Sequence, residues 1–154
     1  MNALKFQQEV LKTYVLKPDN KSACWTRKGK DQVALFLNRH VGIFLPNEEM
    51  MLDPAKIPEI PAESGAKIVD PVLRIGVEAH RLEPTEEYRF TSGNKKIRIY
   101  KARAWQTGID QSLLKYFDPF TMRLYQVKEY DVILITEKTK GYEDPVGLVL
   151  PVHI

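Results

Sequence analysis

At 154 residues the chain has room for one domain, and its 44% hydrophobic content can fill a core of that size. There is no apolar run of about 18 residues, which excludes a membrane-spanning helix, and the single cysteine, Cys24, excludes an intramolecular disulfide. The net charge of +3, with a pI near 8.9, permits a polyanion partner without requiring one.

The lone thiol, and an N-terminus MNALKFQQEVLK without the apolar segment of a signal peptide, predict a cytoplasmic protein with no membrane association. Leu4 to Leu16 has helical spacing. Leu4, Leu11 and Val15, together with Phe6, Val10 and Tyr14, make one broad apolar face, and Pro18-Asp19-Asn20 then turns the chain. Ser22 to Arg27 is a strand, ending in a hairpin-type turn at Lys28-Gly29-Lys30-Asp31. In Gln32 to Leu45, Val33, Leu35 and Leu37 alternate, then Val41, Ile43 and Leu45; Asn38-Arg39-His40 between them is a bulge or a tight hairpin. Met50 to Pro71 is rich in proline, with Ser64-Gly65 at its middle, and predicts an extended connector within the single domain.

Val72–Leu82 and Glu86–Phe90 are strand-like, and Ser92-Gly93-Asn94 is a turn. Lys95 to Trp105 alternates, with Ile97, Ile99 and Lys101 on one side and Lys96, Arg98 and Tyr100 on the other. Thr107-Gly108 punctuates, and Asp110 caps a short helix over Gln111–Phe117 that Pro119 ends. Strands follow at Thr121–Val127, Asp131–Glu137 and Gly147–Ile154. The order helix, strands, connector, strands, helix, strands predicts an α+β fold, with two helices packed on antiparallel sheets.

Some of these segments resemble one family. Ile109-Asp110-Gln111-Ser112-Leu113-Leu114-Lys115-Tyr116-Phe117 resembles the last helix of a bacterial DNA sliding-clamp domain, and Tyr130-Asp131-Val132-Ile133-Leu134-Ile135-Thr136 resembles the strand that comes after it. The tail LVLPVHI is similar to the hydrophobic–Met-Pro-Met-Arg-Leu ending of the polymerase III beta subunit, and His40 matches one position of a family segment whose Asp-Gly pair is absent here. The resemblance implies a single clamp-like domain, two helices on small antiparallel sheets, with the helices facing DNA. A ring of such one-domain chains would need about six copies, so homo-oligomerisation stays open.

What the resemblance implies for single residues is specific. Lys5, Lys12 and Lys115 would meet phosphate from the two helices, unless they only solvate those helices. Leu150, Pro151, Val152 and His153 would form an apolar groove for a replication-protein peptide, with histidine where the family has arginine; the alternative is an ordinary closing strand. Independently of the family, Lys96, Arg98 and Lys101 lie in a basic strand interleaved with aromatic residues. That pattern suits nucleic acid, though lysine also protects edge strands from aggregation.

Chemistry has little to stand on in the sequence. His40, His80 and His153 are dispersed and with Cys24 make no metal-ligand spacing; there is no glycine-rich phosphate loop; Glu48-Glu49 and Glu86-Glu87 point to opposite sides of a strand. The expectation is a non-enzymatic module without metal or cofactor, binding DNA or replication proteins. The alternative is a protein-interaction or regulatory module that does not bind DNA and competes for clamp partners.

Overall fold

The computed structural model describes residues 1–16, 23–69, 78–139 and 142–154. The chain opens with helix α1 (Ala3–Leu16) and continues through strands β1 (Cys24–Lys28), β2 (Gln32–Asn38) and β3 (Val41–Pro46). Helix α2 (Ala62–Val69) follows, then β4 (His80–Phe90), β5 (Lys96–Lys101) and β6 (Gln106–Asp110). A 3-10 helix over Gln111–Tyr116 leads into β7 (Met122–Gln126), β8 (Ile133–Thr139) and β9 (Tyr142–Val149). The strands form one nine-stranded sheet in the order β1-β2-β3-β9-β8-β7-β4-β5-β6. Every neighbouring pair is antiparallel.

This overturns the expected fold class. The molecule is a sheet with few helices, not two helices packed together on small sheets. The second helix expected, over 111–117, is a 3-10 helix on the α1 side, and strand periodicity shows that the unexpected helix α2 lies on the other. On β2, Leu35 points to the side where α1 buries Phe6 and Val10, together with Tyr116, Phe117 and Ile135. Ala34 and Phe36 point to the other side, with Phe44, Leu134 and Leu148, and there Ile68 of α2 packs. Gly65 lets α2 come this close: a Cβ at that position would lie 2.4 Å from Thr26 Oγ1 of β1.

Several smaller expectations also change. Asn38-Arg39-His40 is the hairpin, with Asn38 Oδ1 accepting from the His40 and Val41 amides at 2.7 and 3.2 Å. The connector from Met50 is not extended throughout. It holds a 3-10 turn at Pro54–Lys56, capped by Asp53, and then α2. Segment 111–117 is a 3-10 helix rather than an α-helix, even though Asp110 caps it as expected, its Oδ1 accepting from Ser112 N at 3.0 Å. Thr107 and Gly108 are inside β6, and the strand begun at Lys95 ends at Lys101. On α1, Leu4 and Leu11 are half exposed, at 52% and 51%, while the polar Gln7 is buried. Gln7 ties the chain after β3 to the helix, donating to Glu49 O at 3.1 Å and accepting from Met51 N at 2.7 Å. The predicted turn at Pro18-Asp19-Asn20, and the first residues of the strand predicted from Val72, lie outside the described residues.

Both outer strands of the sheet are covered, as exposed edges template aggregation. Beside β1, Trp25 N donates to Pro58 O at 3.0 Å and Ile60 N to Trp25 O at 2.8 Å. Beside β6, the residues after β9 leave β3 and cross over. Leu150 N donates to His40 O at 2.9 Å, and two residues on Val152 N donates to Gly108 O at 2.8 Å. The tail thus acts as a strap that fastens one end of the sheet to its middle.

Candidate functional site

The site arises where β4 changes partner. Its first residues, His80 to Leu82, pair with β7, while Glu83 to Phe90 pair with β5. Beyond Leu82 the strands β5 and β7 splay apart, and the 3-10 helix Gln111–Tyr116 lies across the gap. The result is a cleft of about 440 Å³. Leu82, Leu114, Phe117 and Leu124 give it an apolar floor; Arg98 and Lys115 border it, and Arg81, Glu83 and Arg123 line its rim from positions that alternate with Leu82 and Leu124 along their strands.

Arg98 is the best-fixed of these cations. The register of β4 against β5 shifts between Pro84 and Tyr88, and this bulge turns the Thr85 carbonyl toward the Arg98 side chain. Arg98 Nε donates to it at 2.8 Å, and Thr85 Oγ1 donates to Ile99 O at 2.7 Å. The guanidinium lies 5.3 Å from the Tyr88 ring and 6.0 Å from the Tyr100 ring, with Glu86 Oε1 3.7 Å from Nη2. Lys96, two residues earlier on the same face, holds its Nζ 4.4 Å from the Tyr88 ring. Lys115 Nζ likewise lies 5.1 Å from the ring of Tyr116.

The cleft continues into two shallower depressions. Lys115 and Phe117 line both it and a hollow beside Asn2 and Leu4. Asn2 and Leu4 in turn line a third, with Lys5, Gln8, Glu9 and Lys12. Three adjoining depressions, together termed the furrow, therefore run from α1 past the 3-10 helix to β5. Of the residues expected to meet nucleic acid, Lys5, Lys12, Lys115 and Arg98 lie along it and Lys96 extends it. Lys101 does not belong: it is on the opposite face of β5, across from Glu83 and Gln106. Arg81, Arg123 and Gln111 were not among the expected site residues, as only the splay of β5 from β7 brings them together.

The tail residues have another place. Leu150 and Val152 carry the strap's hydrogen bonds, and the His153 ring packs 5.0 Å from that of Tyr130. None of Leu150, Pro151, Val152 and His153 borders the three depressions.

Burial sets the protonation of two groups. It pushes the Tyr100 hydroxyl up, more than the hydrogen bond to Gln111 and nearby Arg98 bring it down, so the phenol stays an O–H donor at the cleft. Burial also pushes the Cys24 thiol up, against the pull of Arg39, which keeps it in its weakly nucleophilic form. Among the described residues no three His, Cys, Asp or Glu side chains gather as metal ligands, and no helix is long and apolar enough to cross a membrane. The chain matches no protein-family model, no curated protein and no solved structure.

Proposed function

We propose that this protein is a non-enzymatic binding module that seats nucleic acid by its phosphates along the furrow. One observation carries this reading: cations far apart in sequence, on α1, β5 and the 3-10 helix, border adjoining depressions. A polyanion laid there meets Lys12, Lys5, Lys115, Arg98 and Lys96 in turn. Such contacts give affinity without reading sequence. Glu9 is the acidic exception on the α1 stretch.

The test is a fluorescence titration of labelled oligonucleotides, single- and double-stranded, repeated over a salt series. Each neutralised phosphate contributes roughly −0.7 to the slope of log K against log salt for a single strand. Five contacts therefore predict a slope of about −3.5, or about a hundredfold loss of affinity between 50 and 200 mM salt. No binding to either probe at low salt, or binding indifferent to salt, overturns the proposal. Indifference to salt would favour a protein partner instead, for which the half-exposed pair Leu4 and Leu11 on α1 is the supporting feature.

A further inference from the structure

Building on the polyanion reading above, we infer that the furrow takes unpaired, single-stranded nucleic acid in preference to duplex, with bases stacking on Phe120 and Phe90. These two rings are the most exposed large apolar side chains described, at 90% and 71%. Leaving them in water costs apolar surface that the fold does not recover. Phe120 follows Pro119, which lines the cleft, and its amide donates to Asp118 Oδ1 at 2.9 Å, which holds its backbone in a tight turn. Phe90 pairs directly with Lys96, two residues along from the Tyr88–Arg98 pair and so on the same face of the sheet.

Phe90 lies across from Lys96, and Phe120 follows Pro119 of the cleft wall. A strand whose phosphates follow Lys115, Arg98 and Lys96 would lay its bases toward these rings. In a duplex the flat faces of the bases are already stacked on one another, so only an unpaired strand has such faces to offer. The cleft agrees with this division: an apolar floor of Leu82, Leu114, Phe117 and Leu124 suits a base or sugar, while Arg98 and Lys115 at the border suit phosphate.

The experiment compares an oligo-dT strand with a blunt duplex of equal length at one low salt concentration, for the intact protein and for Phe120→Ala and Lys115→Gln. Phe120 is nearly fully exposed, so its replacement leaves folding alone. Stacking on one ring predicts that F120A weakens oligo-dT binding by roughly five- to a hundredfold and leaves the salt slope unchanged. K115Q should instead make the slope shallower by roughly 0.7. Equal affinity for duplex and single strand, or oligo-dT binding unmoved by F120A, overturns the single-strand inference and leaves the polyanion reading standing. Absence of binding to both probes removes the polyanion reading itself.

Discussion

The strap makes the sharpest stability prediction, through Gly108→Ala. A Cβ at Gly108 would lie 2.7 Å from Ile154 Cγ2, 2.9 Å from Ile97 Cγ2 and 3.2 Å from Val152 O. Ile97 is buried at 2% exposure and has nowhere to go, whereas Ile154 is 45% exposed at the tail. The tail is therefore what moves. Losing the Val152–Gly108 hydrogen bond costs about 1 kcal/mol, and re-exposing the half-buried side chains of Val152 and Ile154 about 1 kcal/mol each. The stiffer unfolded chain returns about 0.5–1 kcal/mol. The net loss of about 2 kcal/mol lowers Tm by about 4–8 °C for a domain of this size. Thermal unfolding by circular dichroism measures the shift, and hydrogen exchange at the Val152 amide reports whether the strap has let go. Gly93→Ala is the control, because a Cβ there meets nothing within 4 Å. An unchanged Tm for G108A, with the Val152 amide still protected, would refute the strap.

Two further outcomes follow from buried polar groups. Gln7→Ala leaves the Met51 amide and the Glu49 carbonyl without their partner and opens a void in a position only 2% exposed; urea unfolding should show a loss of about 3 kcal/mol, and a loss under about 1 kcal/mol would mean that water replaces the side chain. Tyr116 ionises late, its hydroxyl pushed up to about 12 by burial first and by Glu9 second. The neutral form is the one the fold prefers, so its contribution to stability is intact below the ordinary tyrosine value near 10 and is lost as pH rises through about 12; ultraviolet titration of the folded protein, compared with Tyr116→Phe, should show the Tyr116 amplitude only in that range.

Local patterns were legible where the apolar alternation along a strand is strong. The alternation Val33, Leu35, Leu37 and then Val41, Ile43, Leu45 marks the inner side of β2 and β3, and Lys96, Arg98 and Tyr100 do occupy one side of β5. The failures have a common cause: glycine and proline read as punctuation where tertiary contact uses them otherwise. Gly108 is inside β6 because the tail passes within contact of its backbone, and Gly65 is inside α2 because Thr26 does. A signal for α2 was present, Pro61 before the first turn, Glu63 within it and Lys67 in the last. The helix expected over 111–117 has the right cap, but six residues are too few for an α-helix to gain from its own hydrogen bonds, and packing decides its winding. The cleft could not be read at all, as it depends on where β4 exchanges β7 for β5.

The furrow also poses an electrostatic question, since clustered cations repel one another and a fold usually answers with carboxylates. Here aromatic rings do much of that work. Lys96 and Arg98 share the Tyr88 ring and Lys115 lies over Tyr116, at 4.4, 5.3 and 5.1 Å. Each such contact contributes about 0.5–1 kcal/mol at an exposed site. A ring holds a cation in place without cancelling its charge, whereas a carboxylate would have to be displaced before a phosphate could enter. The carboxylate paired with Arg98, Glu86, is 96% exposed and 3.7 Å away, so solvent screens it and it yields readily. On the reverse of the same strand, Ile97 and Ile99 are locked into the fold close to where the tail meets Gly108. The two-residue period of β5 thus divides the work: one face anchors the strand to the strap, and the other is left positively charged, ordered and open.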